Sequence, residues 1–416
     1  MNSTKITFVI PSRNNLEFLQ LAYKSIRDLE TKHEILVLND ASTDGTQEWI
    51  NKLKDEDLIV HHNPGPERIG IVGMFDKGIE MANTDIIMAF HSDMVAAPNL
   101  DKHILKHLKK GTVVSATRVE PPLHPPGPEK VTMDFGIEAE DFDYNKFCGW
   151  CKGVLKEIGG YKPKHGKLIT EGIFAPWCMY KEDFLAIGGH DELFAPQSRE
   201  DSDLFNRFHL NGYKFIQTWE GLVYHFTSRG SRFNKHAGGV VLKDASSPSA
   251  EWVYTTTKNS KNFVRKWGTH VQHDELMKPI VSPKYDITFI IENLSYTGLE
   301  ELEPWCSKLY YSSGSLNFLN GADKEKFVWE HQMHTNINLN NKIKHIDEID
   351  FDELDKTGVI IKFDNGKFGG EESKYMTALG DIIKNSGEIG EFELGNLKLK
   401  INSLETTEHN LIKNEN

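Results

Sequence analysis

Four short apolar runs in the first ninety residues each end on a polar tip, and this repetition constrains the fold more than any other feature. Ile6–Ile10 stops at Pro11-Ser12-Arg13-Asn14, Ile35–Leu38 at Asn39-Asp40, Leu58–Val60 ahead of Asn63-Pro64-Gly65-Pro66, and Ile86–Phe90 at His91-Ser92-Asp93. Between them Leu16, Phe18, Leu19, Leu21 and Ala22, then the stretch around Trp49 and Ile50, then Ile71–Met81 fall at helical spacing. Short, nearly continuous apolar strands alternating with helices predict an α/β fold, a mostly parallel sheet covered by helices on both faces. Ligands of such sheets collect beyond the carboxyl ends of the strands. Here those ends carry Arg13, Asp40 and Asp93.

At 416 residues the chain is too long for one ordinary core, so two domains are expected. The net charge of -13 argues against a nucleic-acid surface, which needs clustered Lys and Arg, but leaves a local basic pocket open. Four cysteines do not make a disulfide framework in a chain of this size and point to a reducing compartment. No stretch approaches the roughly 20 apolar residues of a membrane span, and the N-terminus is too polar for a signal peptide. A soluble, cytoplasmic protein is expected, with a peripheral membrane contact left open.

The first α/β domain is expected over residues 1–268, interrupted by a rigid loop at Pro121, Pro122, Pro125, Pro126 and Pro128. Asp244–Ala250, with Ser246-Ser247-Pro248-Ser249, reads as a mobile segment. Beyond Trp267-Gly268 the pattern changes. A polar linker over 269–284 leads to strands at Ile287–Ile291 and Val359–Ile361, a smaller α/β or α+β domain of unknown role over 285–407, and a polar tail over 408–416.

Taken in order, Pro11-Ser12-Arg13-Asn14, Leu38-Asn39-Asp40-Ala41-Ser42-Thr43-Asp44-Gly45-Thr46, His91-Ser92-Asp93, Glu200-Asp201 and His225 resemble the family 2 glycosyltransferases, with Asn259–Gly268 looking like the end of that domain. The resemblance covers about residues 5–268 and implies the Rossmann-like GT-A fold and sugar transfer from a nucleoside diphosphate sugar, a UDP-sugar favoured, to a hydroxyl acceptor of unknown identity. Inversion at the anomeric carbon follows from the resemblance alone.

The resemblance assigns roles that the residue chemistry supports. Pro11, Ser12, Arg13, Asp40, Arg68, Ser92 and Asp93 are the donor-binding candidates. A carboxylate such as Asp40 accepts a base hydrogen in a pocket that excludes water, and guanidinium planes suit phosphate or base. The family's Asp-x-Asp holds a divalent ion that neutralises the leaving diphosphate. His91 replaces its first Asp, Asp93 matches its last, and His225 completes the metal set, with manganese favoured over magnesium because it tolerates imidazole. Asp201 is the candidate base, Glu200 the lesser one. Trp177 and Asp203 are assigned to the acceptor side, and 228–232 to a lid or a plain loop.

Each assignment has a structural competitor. Asn39-Asp40 and Asp44 suit turns and helix caps, and for Asp44 the turn is preferred. Ser198 with Asp201 resembles a capping box. Cys148-Gly149-Trp150-Cys151 has redox or half-zinc-site spacing, but it stands mid-domain without a second pair, which favours ordinary buried cysteines. Two other functions remain: a nucleotidyltransferase, which would want a glycine-rich basic loop that residues 11–14 lack, and a non-catalytic sugar- or nucleotide-binding protein, favoured by His91.

Overall fold

The computed structural model of the protein describes residues 4–156, 163, 165–241, 246–312 and 318–412, without the side chains of 155 and 156. The chain folds into two compact units, Met1–Thr256 with Gln272–Ile280, and Thr257–Val271 with Val281–Lys413. The boundary expected at Gly268 instead falls inside a helix, after Thr256, and part of the expected 269–284 linker belongs to the first unit. Met277 O accepts from Ile173 N at 3.3 Å, and Gly172 approaches Leu276 so closely that a Cβ would lie 2.0 Å from its carbonyl oxygen.

The first unit begins β1 (Thr7–Ser12), α1 (Leu16–Arg27), β2 (Glu34–Asp40), α2 (Thr46–Ile50), β3 (Leu58–Asn63), α3 (Ile71–Met81) and β4 (Ile86–Ala89). All four strands predicted near the N-terminus are present, the first three extended at their polar ends. There follow β5 (Met94–Ala96), α4 (Leu100–Leu105), β6 (Thr112–Glu120), β7 (Val131–Thr132), α5 (Tyr144–Lys156), β8 (Ile169–Thr170), β9 (Trp177–Tyr180), α6 (Lys181–Ala186), α7 (Glu200–Leu210), β10 (Lys214–His225) and α8 (Ala250–Trp267). The proline-rich stretch 121–128 is irregular, as expected. Ser246–Ser247 pair with Val240–Val241, whereas residues 244 and 245 of the segment expected to be mobile lie outside the described residues.

One sheet runs in the order β3-β2-β1-β4-β9-β6-β10-β5, with β7 beside β6 and β8 beside β10. β1 is parallel to β2 and β4, β2 to β3, and β6 to β10. Because β9 is antiparallel to both β4 and β6, those two share a direction. The carboxyl ends of β1, β2, β3, β4, β6 and β10 thus lie along one edge, the mostly parallel arrangement expected from the sequence. Phe8, Val9, Ile10, Leu36, Val37, Leu38, Ile87 and Met88 are fully buried beneath that edge. Each such side chain contributes about 1.5–3 kcal/mol by leaving water, so the strand tips are set on a rigid base.

The second unit has its own core around Phe289, Leu309, Ile343, Ile361 and Leu399. Its sheet runs Ile343–His345, Lys308–Tyr311, Ile287–Glu292, Val359–Asp364, Leu397–Ile401, Gly390–Leu394. The first four strands are parallel and the last two form an antiparallel hairpin on the edge. This is the additional α/β domain expected from the sequence. Of the expected tail, Glu408–Leu411 form a 3-10 turn and residues 413–416 lie outside the described residues. Among the described residues no helix is long and apolar enough to cross a membrane.

Candidate active site

The polar tips line one cavity of about 230 Å³ at the carboxyl edge of the sheet. β1 brings Pro11, Ser12 and Arg13, β2 brings Asp40, the loop after β3 brings Arg68, and the turn after β4 brings His91, Ser92 and Asp93. From further along the chain come Glu200 and Asp201 at the start of α7 and His225 at the end of β10.

Asp93 is buried and tightly placed. Its Oδ2 accepts from the backbone N–H of Arg229 at 2.6 Å and of Gly230 at 3.3 Å. Thr227 and Ser228 both have left-handed φ, 67° and 61°, which folds the chain after β10 back so that those N–H groups reach Asp93. This leaves Oδ1 facing His225 Nε2 at 3.8 Å. On the other side of the ring, His225 Nδ1 lies 2.8 Å from Glu120 Oε1. His91, Asp93 and His225 offer ligand atoms that all lie within 4.8 Å of one another. Metal bonds of about 2.1 Å separate opposite donors by about 4.2 Å, so a small contraction would fit this set around an ion. Two imidazole nitrogens and one carboxylate oxygen are a donor set of the kind that binds divalent cations. Burial lowers the His91 pKa against the pull of Asp93 and Asp201, which favours the neutral, ligating imidazole.

Ser228, Gly230 and Ser231 line the cavity, but the segment expected as a lid is pinned at its first turn to Asp93. The Arg229 side chain turns away to Ile137 O, 2.9 Å, and Glu138, 2.8 Å. Arg232 stacks on Phe233 and Trp252.

On the donor side, Asp40 accepts from Asn63 Nδ2 and from the backbone N–H groups of Ile69 and Gly70, each at 2.8 Å. An ionised carboxylate has about four acceptor positions, so one remains for a ligand. Gly70 has φ +92° and a Cβ there would meet Pro196 at 2.4 Å, so only glycine lets this loop lie against the segment that enters α7. Arg68 Nη2 lies 2.9 Å and Arg13 Nη1 3.9 Å from the same carboxylate oxygen of Glu251, in the first turn of α8. Ser92 Oγ accepts from Asn15 Nδ2 at 2.9 Å, while the buried Ser12 Oγ has no partner. Asp44 accepts from Leu16 N and Thr46 N, the turn role preferred for it from sequence.

The capping-box reading of Ser198 is not what the structure contains. Ser198 Oγ bonds Thr256 Oγ1 at 2.9 Å, and the residue before α7 is Arg199. Ser198 and Arg199 both have left-handed φ, 76° and 72°, which costs about 1–2 kcal/mol each immediately before the carboxylate pair. Glu200 is buried, its Oε2 without a partner, and burial together with the charge of Asp201 pushes its carboxyl up to about 8. Asp201 is the more exposed of the two.

Two acceptor-side assignments are corrected. Trp177 is 1% exposed in β9, stacked on Phe184 and edge-on to Phe208, and presents no face to a ligand. Asp203 is fully buried against Arg207 Nε at 2.8 Å, and that guanidinium also bonds Ile187 O and Gly189 O. Both belong to the scaffold because their elements turn those side chains inward. Cys148 and Cys151 sit inside α5 rather than at its start, and burial raises both thiol pKa values, which disfavours the thiolate that redox or zinc chemistry needs.

Sequence reasoning missed Glu120 and Glu251. Glu120 ends β6 as Asp40 ends β2, so the rule that singled out the other strand tips would have found it. Burial works against its charge, but Arg118 at 3.1 Å, His225 and Lys130 at 2.8 Å outweigh it and hold the carboxyl well below its usual range. Glu251 carries no sequence signal, since its partners are remote in the chain.

The first unit is a mostly parallel α/β unit with a polar carboxyl edge, and part of it is similar to known sugar transferases. Residues 7–150 match the model of glycosyl transferase family 2, over the first part of the segment for which the sequence resemblance was read. The chain is 26% identical over 120 residues to undecaprenyl-phosphate mannosyltransferase of Micrococcus luteus, covering 28% of this chain and 49% of that protein. It is 25% identical over 117 residues to poly-beta-1,6-N-acetyl-D-glucosamine synthase of Staphylococcus aureus strain COL, 28% of each chain. The chain thus spans half or less of the length of these relatives. Among solved structures, GalNAc-T7 with UDP, GalNAc and Mn2+ aligns with a TM-score of 0.42 at 12% identity, covering 64% of this chain and 51% of that one.

Proposed function

We propose that the protein transfers a sugar from a nucleoside diphosphate sugar, preferably a UDP-sugar, to a hydroxyl acceptor with inversion, in a divalent-metal-dependent reaction with manganese favoured over magnesium. One observation carries this reading. The segment that matches the family 2 model and residues further along the chain converge on one cavity that contains a candidate metal set and, beside it, a carboxylate pair. The activities named for the two curated relatives, both sugar transfers, support the class.

Asp93, His225 and His91 would hold the ion, which when bound supplies positive charge to the departing diphosphate. The chain supplies the rest. Arg13 and Arg68 face the donor phosphates or base, and Asp40 keeps one acceptor position for a base hydrogen. Glu200, with its carboxyl raised to about 8, keeps its proton at neutral pH, which leaves the more accessible Asp201 as the proton acceptor of the pair. The N-terminus of α7 favours a negative charge there. Asp201 then takes the acceptor hydroxyl proton as the oxygen attacks. Positioning and electrostatic stabilisation account for most of the acceleration. Four free cysteines support a cytoplasmic setting.

The test is nucleoside diphosphate release across a panel of sugar nucleotides, with and without Mn2+. Metal-dependent release from one donor is expected and names the sugar. Binding of donors without turnover, in the presence of any candidate hydroxyl acceptor, would instead favour a binding protein.

A further inference from the structure

We propose that Glu120 is a positioning residue for the metal set, holding His225 in the tautomer and orientation that turn its Nε2 lone pair toward Asp93. The inference rests on the metal reading given above and concerns a residue to which no role has been assigned.

The strand pairing brings the two groups together. β6 and β10 run parallel with Val119 opposite Tyr224, so their last residues, Glu120 and His225, emerge side by side at the same edge. His225 Nδ1 lies 2.8 Å from Glu120 Oε1. Glu120 sits between two cations, Arg118 Nη1 at 3.1 Å and Lys130 Nζ at 2.8 Å, so it is an ionised carboxylate that can only accept. The hydrogen in that contact therefore belongs to Nδ1. The opposite nitrogen, Nε2, accepts from the backbone N–H of Ser228 at 3.5 Å and faces Asp93 Oδ1 at 3.8 Å. An acceptor nitrogen and a carboxylate oxygen facing each other, with His91 within 4.8 Å, form a site for a cation.

Carboxylate, imidazole and ligand direction in line are the outer-shell arrangement that fixes ring orientation and raises ligand basicity at metal sites. Here the outer carboxylate is itself fixed. Arg118 lies 3.5 Å over the Phe174 ring, which lines the cavity, and 3.9 Å from Glu129. Two carboxylates balance two cations in this cluster, so Glu120 orients His225 without adding net charge at the ion's position.

The experiment uses the full chain and Mn2+ alone, titrated by electron paramagnetic resonance of the free ion. The wild type is expected to bind saturably and Asp93→Ala to lose binding. Glu120→Ala should weaken Mn2+ binding about 10- to 100-fold. Glu120→Gln should weaken it less, because the amide oxygen still accepts from Nδ1. In parallel, the 15N shifts of His225 in metal-free protein should report Nδ1–H in the wild type and a tautomer mixture in Glu120→Ala. A residue with only an ion-pairing role would lower the melting temperature and leave tautomer and affinity unchanged. That result in folded Glu120→Ala overturns the inference. Should Glu120→Ala fail to fold, 15N shifts that place the His225 proton on Nε2 in the metal-free wild type overturn it instead. A wild type that binds no Mn2+ overturns the metal reading, while the tautomer measurement still decides whether Glu120 orients His225.

Discussion

Glu200 and Asp201 are neighbours in sequence held in unlike surroundings, and their difference organises the chemistry at the residue scale. Asp201→Asn is expected to reduce transfer about 10²–10⁴-fold with donor affinity retained, whereas Asp93→Ala should abolish transfer and weaken donor binding as well. Turnover numbers together with calorimetric donor titration separate the two, and near-normal turnover in the Asp201 variant would remove it as the base. Glu200 makes a separate prediction. Its carboxyl is raised from 4.5 to about 8, so between those values the folded protein holds a proton that the unfolded chain has released. Its contribution to stability is complete below about 4.5 and is lost as pH rises through about 8. The melting temperature of the wild type relative to Glu200→Gln should therefore fall between roughly pH 5 and roughly pH 9. A pH-independent difference would mean that Glu200 is not protonated in the fold.

At the scale of elements, the site is a set of strand tips crossed by the first turn of α8. Glu251 pairs with Arg68 and Arg13, Trp252 stacks under Arg232, and Thr256 ties to Ser198 ahead of the base. Under the proposed function, a carboxylate on Arg68 and Arg13 competes with an incoming phosphate. A half-exposed pair of this kind is worth up to about 1 kcal/mol, so Glu251→Gln should tighten UDP binding by up to about fivefold at low salt, with the gain shrinking as salt screens the pair. Isothermal titration at two ionic strengths reads this, and weaker binding in the variant would assign Glu251 to arginine placement instead. The strand tips were legible because each is a local event, an apolar run meeting a polar stop. Glu120 and Glu251 were not, because their partners stand far away in sequence: Glu120 is 105 positions from His225. Trp177 and Asp203 were misassigned for the complementary reason. Which side of a short strand or helix turns inward depends on the elements packed against it, and motif position carries no information about that.

At the scale of the whole molecule, the chain does not divide where its composition changes. Periodicity marked Trp267-Gly268 as an end because α8 stops there, yet Gln272–Ile280 returns to the first unit through Ile173 and Met277. A chain cut after Gly268 should consequently melt lower than one cut after Ile280, measured by thermal unfolding of each. Equal melting temperatures would mean that the returning segment adds nothing. The second unit was legible as a separate core from its apolar strands Ile287–Glu292 and Val359–Asp364.

The exchange of an aspartate for His91 has a thermodynamic consequence for the proposed reaction. A site with one anionic ligand leaves most of a divalent ion's charge uncompensated, so an ion bound there would be held more tightly once a donor diphosphate adds its own negative charge. Each partner would then raise the affinity of the other, by the same factor in both directions. Ion and nucleotide would stabilise one another in the cavity, so that each is released more slowly in the company of the other.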